Sequence, residues 1–220
     1  MLKQFNFTNA AKSLQQGLLI AIEGADGSGK SSLAHNLYLR LADLNLPVIL
    51  TREPGGTALG EQLKAIVSST ETYLCPKAEF LLFAASRAEH FEKVVIPALT
   101  NKTIVISDRL ADSSIVYQGY ARGLDIKTIE TINQWAMNNL KPAITLYVKV
   151  TTETVISRIK KRNIPLSVFE QEKSFITKTI QGFDTLYKNR PDTITLNGDG
   201  ELHDMITQAE HAIFTYLENS

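Results

Sequence analysis

Residues 24–31, Gly-Ala-Asp-Gly-Ser-Gly-Lys-Ser, constrain this chain more than any other stretch. They fit the pattern G-x-x-x-x-G-K-[ST]. The apolar run Leu18 to Ile22 precedes them, and Leu33, Leu37, Leu41 and Leu44 recur behind them at helical spacing. A strand that turns through glycines into a helix is the context in which the pattern has chemical meaning. Glycine tolerates the backbone angles that let successive N–H groups converge on an anion, and the helix N-terminus adds positive potential. Gly24, Ala25, Asp26, Gly27, Ser28, Gly29, Lys30, Ser31 and Ser32 are the expected ATP- or GTP-binding set. Lys30 is placed to reach the β- and γ-phosphates, and Ser31 to offer its hydroxyl to Mg²⁺. An ordinary glycine turn before a helix is the plain alternative, and the flanks weigh against it. The motif speaks for ATP or GTP and is silent on what is done with it.

The rest of the chain repeats the alternation of strand and helix. Short apolar runs predict strands at 18–23, 48–51, 103–107, 143–150 and 193–196. Helices are expected from the glycine loop to about Asn45, from a Thr57 cap to Ser68, and from Lys77 to about Leu99, with Pro76 in the first turn. Others follow over Ala111 to Tyr120, Ile126 to Leu140, Thr151 to Arg162, Phe169 to Asn189 and Glu201 to Leu217. Such alternation predicts an α/β protein: a five-stranded parallel sheet covered by helices on both faces, in three layers. Residues 1–220 read as one domain, with 1–17 as an N-terminal extension. In a parallel sheet, loops after the strands share one edge. The glycine loop, Arg52–Gly56, Asp108-Arg109 and the segment after Val150 therefore converge.

Composition excludes more than it assigns. There are 23 lysines plus arginines and 23 aspartates plus glutamates, so net charge gives no reason to expect a nucleic-acid polymer or an anionic membrane. No apolar run reaches membrane-spanning length, and residues 1–17 lack the apolar core of a signal peptide. Cys75 is the single cysteine, which forbids an intrachain disulfide and fits a reducing cytoplasm. The four histidines form no metal-ligand spacing. Trp135 reads as helix packing, and no Asn-Lys-x-Asp guanine-reading segment occurs.

Several clusters carry possible chemistry. Asp108 closes the third strand, where an acid can hold the water shell of Mg²⁺ and Arg109 can clamp a phosphoryl group; a strand-end ion pair is the alternative. Phe83 and Arg87 lie four apart on one helix face. They could stack on a base and donate to its carbonyl, or form a core aromatic beside a snorkelling arginine. Beside Asp112 and Ser113, Ser114 and Gln118 are again four apart and could read a base edge, with Tyr117 between them to wall a sugar; a polar helix surface is the alternative. Arg158, Lys160, Lys161 and Arg162 crowd a helix end ahead of Pro165. They either stabilise that terminus or belong to a lid, about 158–170, that closes over a phosphoryl group.

The ordered motifs IEGADGSGKSS, TREPGG, LLFAASRAEH, SDR with DSSIVYQGYARG, and RIKKR with FEQE resemble the thymidylate kinases over about residues 18–217. The resemblance implies a P-loop NTPase fold, ATP-dependent phosphorylation of dTMP to dTDP, Mg²⁺ and a homodimer. It implies that Asp26 approaches the sugar 3′-OH, Phe83 stacks on thymine, and Arg87 donates to its O4. Ser114 and Gln118 would contact the base, Tyr117 would pack on the deoxyribose, and Arg109 would hold the acceptor phosphate. Glu53-Pro54 would shape the acceptor site, with a cis peptide expected there. Gly27 and the basic lid resemble the bacterial subclass, whose catalytic arginine comes from the lid. Three positions depart from the pattern: Leu110 replaces an aromatic or histidine, Lys64 replaces an arginine, and Val168 falls where a lid arginine is usual. Arg158 and Arg162 remain as the lid cations. The rival expectations are another nucleoside monophosphate kinase, a nucleoside kinase, or a nucleotide-binding protein with weak catalysis.

Overall fold

A computed structural model describes residues 16–69, 73–161 and 173–219. Five strands form one parallel sheet: β1 (Leu18–Glu23), β2 (Val48–Arg52), β3 (Ile104–Asp108), β4 (Ile144–Lys149) and β5 (Thr193–Asn197). Their spatial order is β2-β3-β1-β4-β5. The sequence reading of a five-stranded parallel sheet holds, with strand ends shifted by one residue at most. β1 is buried at all six positions, as a central strand covered on both faces must be. Its alternation divides the core. Leu18, Ile20 and Ile22 pack with Leu33, Leu37 and Leu41 of α1 (Lys30–Asp43) and with Met205, Ala209 and Ile213 of α9 (Leu202–Glu218). Leu19 and Ala21 face Phe91, Val95 and Val105 on the other side.

The chain leaves β1 toward β2 and β3, then returns past β1 to β4 and β5. The reversal at β1 opens a crevice above its C-terminal end, where ligands bind in sheets of this kind. Around it stand α2 (Ala58–Ser68) and α3 (Pro76–His90), with α6 (Ile126–Ala136) packed behind α3. Thr57 caps α2, its side chain accepting from Gly60 N at 2.9 Å. Beyond β4 come α7 (Thr152–Lys161) and α8 (Lys173–Tyr187).

Two expected helices are not uniform. α3 runs into a π-helical turn, Phe91–Val95, before α4 (Ile96–Thr100). Pro97, which cannot donate, follows that turn, and Ile96 N–H reaches back five residues to Phe91 O. After β3, α5 (Ala111–Ser114) continues as a π turn over Ile115–Ala121, and this turn carries Tyr117 and Gln118. Trp135 contradicts its expected packing role: it is 78% exposed. α6 turns Ile129, Asn133 and Ala136 inward, which leaves Trp135 on the outer face. Among the described residues no helix is long and apolar enough to cross a membrane.

Candidate active site

The glycine loop joins β1 to α1. Gly24, Gly27 and Gly29 have φ of 145°, 80° and 105°, angles that a side chain would strain. Gly29 caps α1 with no side-chain hydrogen bond to the first turn, so that turn presents its amides to an anion. Lys30 is buried, and its ammonium donates to Ala25 O at 2.7 Å. Burial and the nearby Arg109 depress its pKa to about 8. Ser31 donates to Asp108 Oδ2 at 2.5 Å, while the buried Asp108 Oδ1 has no partner among the described residues. A hydroxyl beside a half-satisfied carboxylate is a hard-oxygen pair suited to Mg²⁺ and its water shell.

Arg109 follows β3 with φ 73°, in the left-handed region. Its N–H bonds Ile22 O and its carbonyl accepts from Ser107 Oγ at 2.7 Å, which holds the unusual turn. The guanidinium pairs with Asp26 Oδ1 and donates to Ser113 Oγ at 3.0 Å and Tyr117 O–H at 3.3 Å. Tyr117 in turn donates to Asp26 Oδ2 at 3.1 Å and accepts from Asp26 N–H at 3.0 Å. Burial alone would raise the Asp26 pKa, but Arg109 and Lys30 together hold it at about 2. Behind this cluster, Glu23 accepts from Leu110 N–H, Ser113 N–H and Ser113 Oγ at 2.9, 3.2 and 2.6 Å. Burial, then the charge of Asp112, lifts Glu23 to about 7.

A second cluster centres on Arg87, 2% exposed. Its Nε donates to Glu53 Oε2 at 2.7 Å and its Nη1 to Asn133 Oδ1 at 2.6 Å. Its Nη2 donates to Ser114 Oγ at 3.3 Å and Leu110 O at 3.4 Å. Glu53 also meets His90 Nδ1 at 3.0 Å, and His90 Nε2 meets Thr51 Oγ1 at 2.7 Å. Burial opposes ionisation of Glu53, but Arg87 and His90 outweigh it and lower its pKa. The Glu53-Pro54 peptide is cis. Gln118 donates to Glu79 Oε1 at 2.7 Å, and Arg122 pairs with the same carboxylate.

One cavity of about 1290 Å³ runs between the clusters. Its lining takes in Gly27, Gly29, Lys30, Ser31 and Ser32 with Asp108, the Asp26–Arg109–Tyr117 cluster, and Glu53, Pro54, Lys64, Phe83, Arg87, Ser114 and Gln118. Leu110 also lines it, while its side chain packs in the core and its backbone serves Glu23 and Arg87. Arg158 is elsewhere. Its guanidinium donates to Gly27 O and Ser28 O at 3.3 and 2.8 Å and to Gly198 O at 2.8 Å, gripping the glycine loop from outside the cavity lining. Arg162, Val168 and most of the lid lie outside the described residues.

A family profile described as "Thymidylate kinase" matches residues 22–208. The chain belongs to the thymidylate kinase family. A thymidylate kinase of Exiguobacterium is 37% identical over 179 residues, covering 81% of this chain and 84% of that one. One from Halothermothrix orenii is 42% identical over 145 residues, covering 66% and 70%. The crystal structure of a thymidylate kinase from Ehrlichia chaffeensis superposes with a TM-score of 0.72 at 30% identity, covering 90% of this chain and 98% of that one. Within this family setting, sequence reasoning had passed over three buried polar residues: Glu23, His90 and Asn133. Asn133 alone left a readable signal, an amide in the inward stripe of α6 between Ile129 and Ala136.

Proposed function

We propose that this thymidylate kinase transfers the γ-phosphoryl group of ATP to dTMP, giving dTDP and ADP. The observation that carries the reading is that one cavity is lined both by Lys30 of the glycine loop and by Phe83 and Arg87. The glycine loop and Lys30 hold the ATP phosphates. Ser31 and Asp108 hold Mg²⁺, which when bound neutralises charge on the donor phosphates. Arg109 releases part of its hold on Asp26 to take the dTMP phosphate, and Asp26 then faces the sugar 3′-OH beside Tyr117. A dTMP phosphate oxygen attacks the γ-phosphorus, and the bond to the β–γ bridging oxygen breaks. That phosphate is already ionised near neutral pH, so no strong general base is required. Catalysis is positioning and charge neutralisation.

Phe83 stacks on the thymine and Arg87 donates to O4. A buried donor suits a carbonyl and meets the amino group of cytosine with an unpaired N–H, a cost of ~1–3 kcal/mol. Ser114 and Gln118 contact the base, and Lys64 supplies positive charge near the acceptor phosphate without the planar fork of arginine. Arg158 fixes the loop carbonyls, and Arg162 is the lid cation left to act on the transferring group. The enzyme is one domain, works as a homodimer and resides in the cytoplasm. Exposed Leu59, Ile66 and Leu81, on α2 and α3, support the dimer, and a free, exposed Cys75 suits a reducing compartment.

The test is ADP release from Mg·ATP with dTMP, dUMP, dCMP, AMP or thymidine as acceptor. Strong release with dTMP and little with dCMP, AMP or thymidine is expected. Preference for another acceptor would overturn the roles given to Phe83, Arg87 and Ser114. ATP binding without acceptor-dependent release would favour a nucleotide-binding protein instead.

A further inference from the structure

We infer that Asn133 is a positioning residue for base selection, acting through Arg87 from behind the cavity. The inference rests on the reading that Arg87 meets the base. A guanidinium carries five N–H donors in a rigid plane. Arg87 makes four hydrogen bonds among the described residues, which leaves at least one donor for a ligand. Where that donor points depends on what fixes the plane. Glu53 fixes it at Nε and would hold it like a hinge, since one bond permits rotation of the fork about it. Leu110 O and Ser114 Oγ are distant partners, at 3.4 and 3.3 Å. Asn133 Oδ1 is the short one, at 2.6 Å on Nη1. It is the second firm point that stops the rotation.

Asn133 is itself anchored. Its Nδ2 donates to Ala111 O at 3.2 Å, so the amide cannot turn without losing both bonds. Because arginine has no acceptor, the oxygen must face Arg87, and the orientation of the amide is determined. The residue is 2% exposed and absent from the cavity lining. An asparagine buried in the inward stripe of α6 costs stability unless its polar atoms are satisfied, and both its described partners belong to the Arg87 neighbourhood. With the fork loosened, Arg87 loses its aim at a carbonyl and gains freedom to swing away from an amino group. Discrimination should therefore fall more than donor binding.

The experiment compares kcat/KM for dTMP and dCMP, and KM for ATP, in the parent enzyme, Asn133→Leu, Asn133→Asp and Arg87→Ala. Asn133→Leu keeps the branched shape of the side chain, though with more bulk, and removes the acceptor. It is expected to lower the dTMP/dCMP ratio about tenfold, the equivalent of one lost hydrogen bond to a charged donor, with KM for ATP changed less than about twofold. Asn133→Asp keeps an oxygen toward Arg87 and should recover most of the ratio. If Asn133→Leu does not fold, Asn133→Ser carries the same comparison. An unchanged ratio in the Asn133 variants, beside a collapsed ratio in Arg87→Ala, overturns this inference and leaves the role of Arg87 standing. An unchanged ratio in Arg87→Ala overturns both. Equal loss in Asn133→Leu and Asn133→Asp, with lowered thermal stability and no change in selectivity, also overturns it.

Discussion

The two ends of the cavity are built by different means. The donor end is mainly one contiguous loop of backbone amides and a lysine, joined by Asp108 from β3; the Lys30–Ala25 bond spans five residues, and only the Ser31–Asp108 bond spans 77. The acceptor end is assembled from side chains far apart in the chain. Arg87 meets Glu53 across 34 residues and Asn133 across 46, and Arg109 meets Asp26 across 83. The donor end therefore needs glycines in the right order and, beyond the loop, only the end of β3. The acceptor end needs β2, β3, α3 and α6 all in place, and its charges are buried and mutually dependent. The difference teaches where mutation should act on chemistry alone and where it should act on folding as well.

Lys30→Ala attacks the donor end and should have the largest effect, a loss of roughly 10³-fold in dTMP-dependent turnover, because a charge aimed at the transferring phosphates is removed. Thermal unfolding of the free protein should change little, since the ammonium makes one bond to Ala25 O; a large drop in melting temperature would blur the distinction between the two ends. Glu53→Gln attacks the acceptor end. It leaves Arg87 buried without its carboxylate and is expected to cost roughly 3 kcal/mol in urea unfolding. The exposed pair Arg52–Glu61 provides the contrast, and Glu61→Gln should fall within about 1 kcal/mol. Equal costs for the two variants would contradict the burial argument.

Glu23 sits between the ends, preceding the loop and holding the turn that carries Arg109. Its folded pKa of about 7 lies above the ordinary value of 4.5. Stability that it confers is thus full below pH 4.5 and is lost as pH rises through 7. Linkage gives a loss of roughly 2 kcal/mol between pH 5 and pH 7. Glu23→Gln should flatten the stability profile by that amount over the same interval, and parallel profiles would contradict the burial assigned to this carboxyl. The smallest effect is expected at the rim: Thr57→Ala removes the cap of α2 and should cost about 1 kcal/mol, with KM for ATP unchanged.

What the sequence made legible follows the same division. The donor loop, the strands and the helix caps are local, so Gly24–Ser31 and Thr57 were readable as they stand. Phe83, Arg87, Ser114 and Gln118 showed helical spacing, but the spacing alone allowed a core aromatic and a polar helix face as readily. Membership of the family favoured one side. His90 and Glu23 gave no signal because their meaning lies in partners more than thirty residues away, Glu53 and Ser113. The π turns were invisible because helical periodicity does not record a single wider turn. Arg158 looked like a lid cation by its basic neighbours; its contacts with Gly27 O, Ser28 O and Gly198 O arise from how α7 packs over the loop.

The central claim is that both ends serve one transfer within a single cavity. The most direct test is to supply ATP labelled on its γ-phosphate together with dTMP and to follow the label by chromatography. Label appearing in dTDP, in step with ADP and with little free phosphate, is the predicted result. Label released mainly as inorganic phosphate, at a rate indifferent to dTMP, would contradict the account.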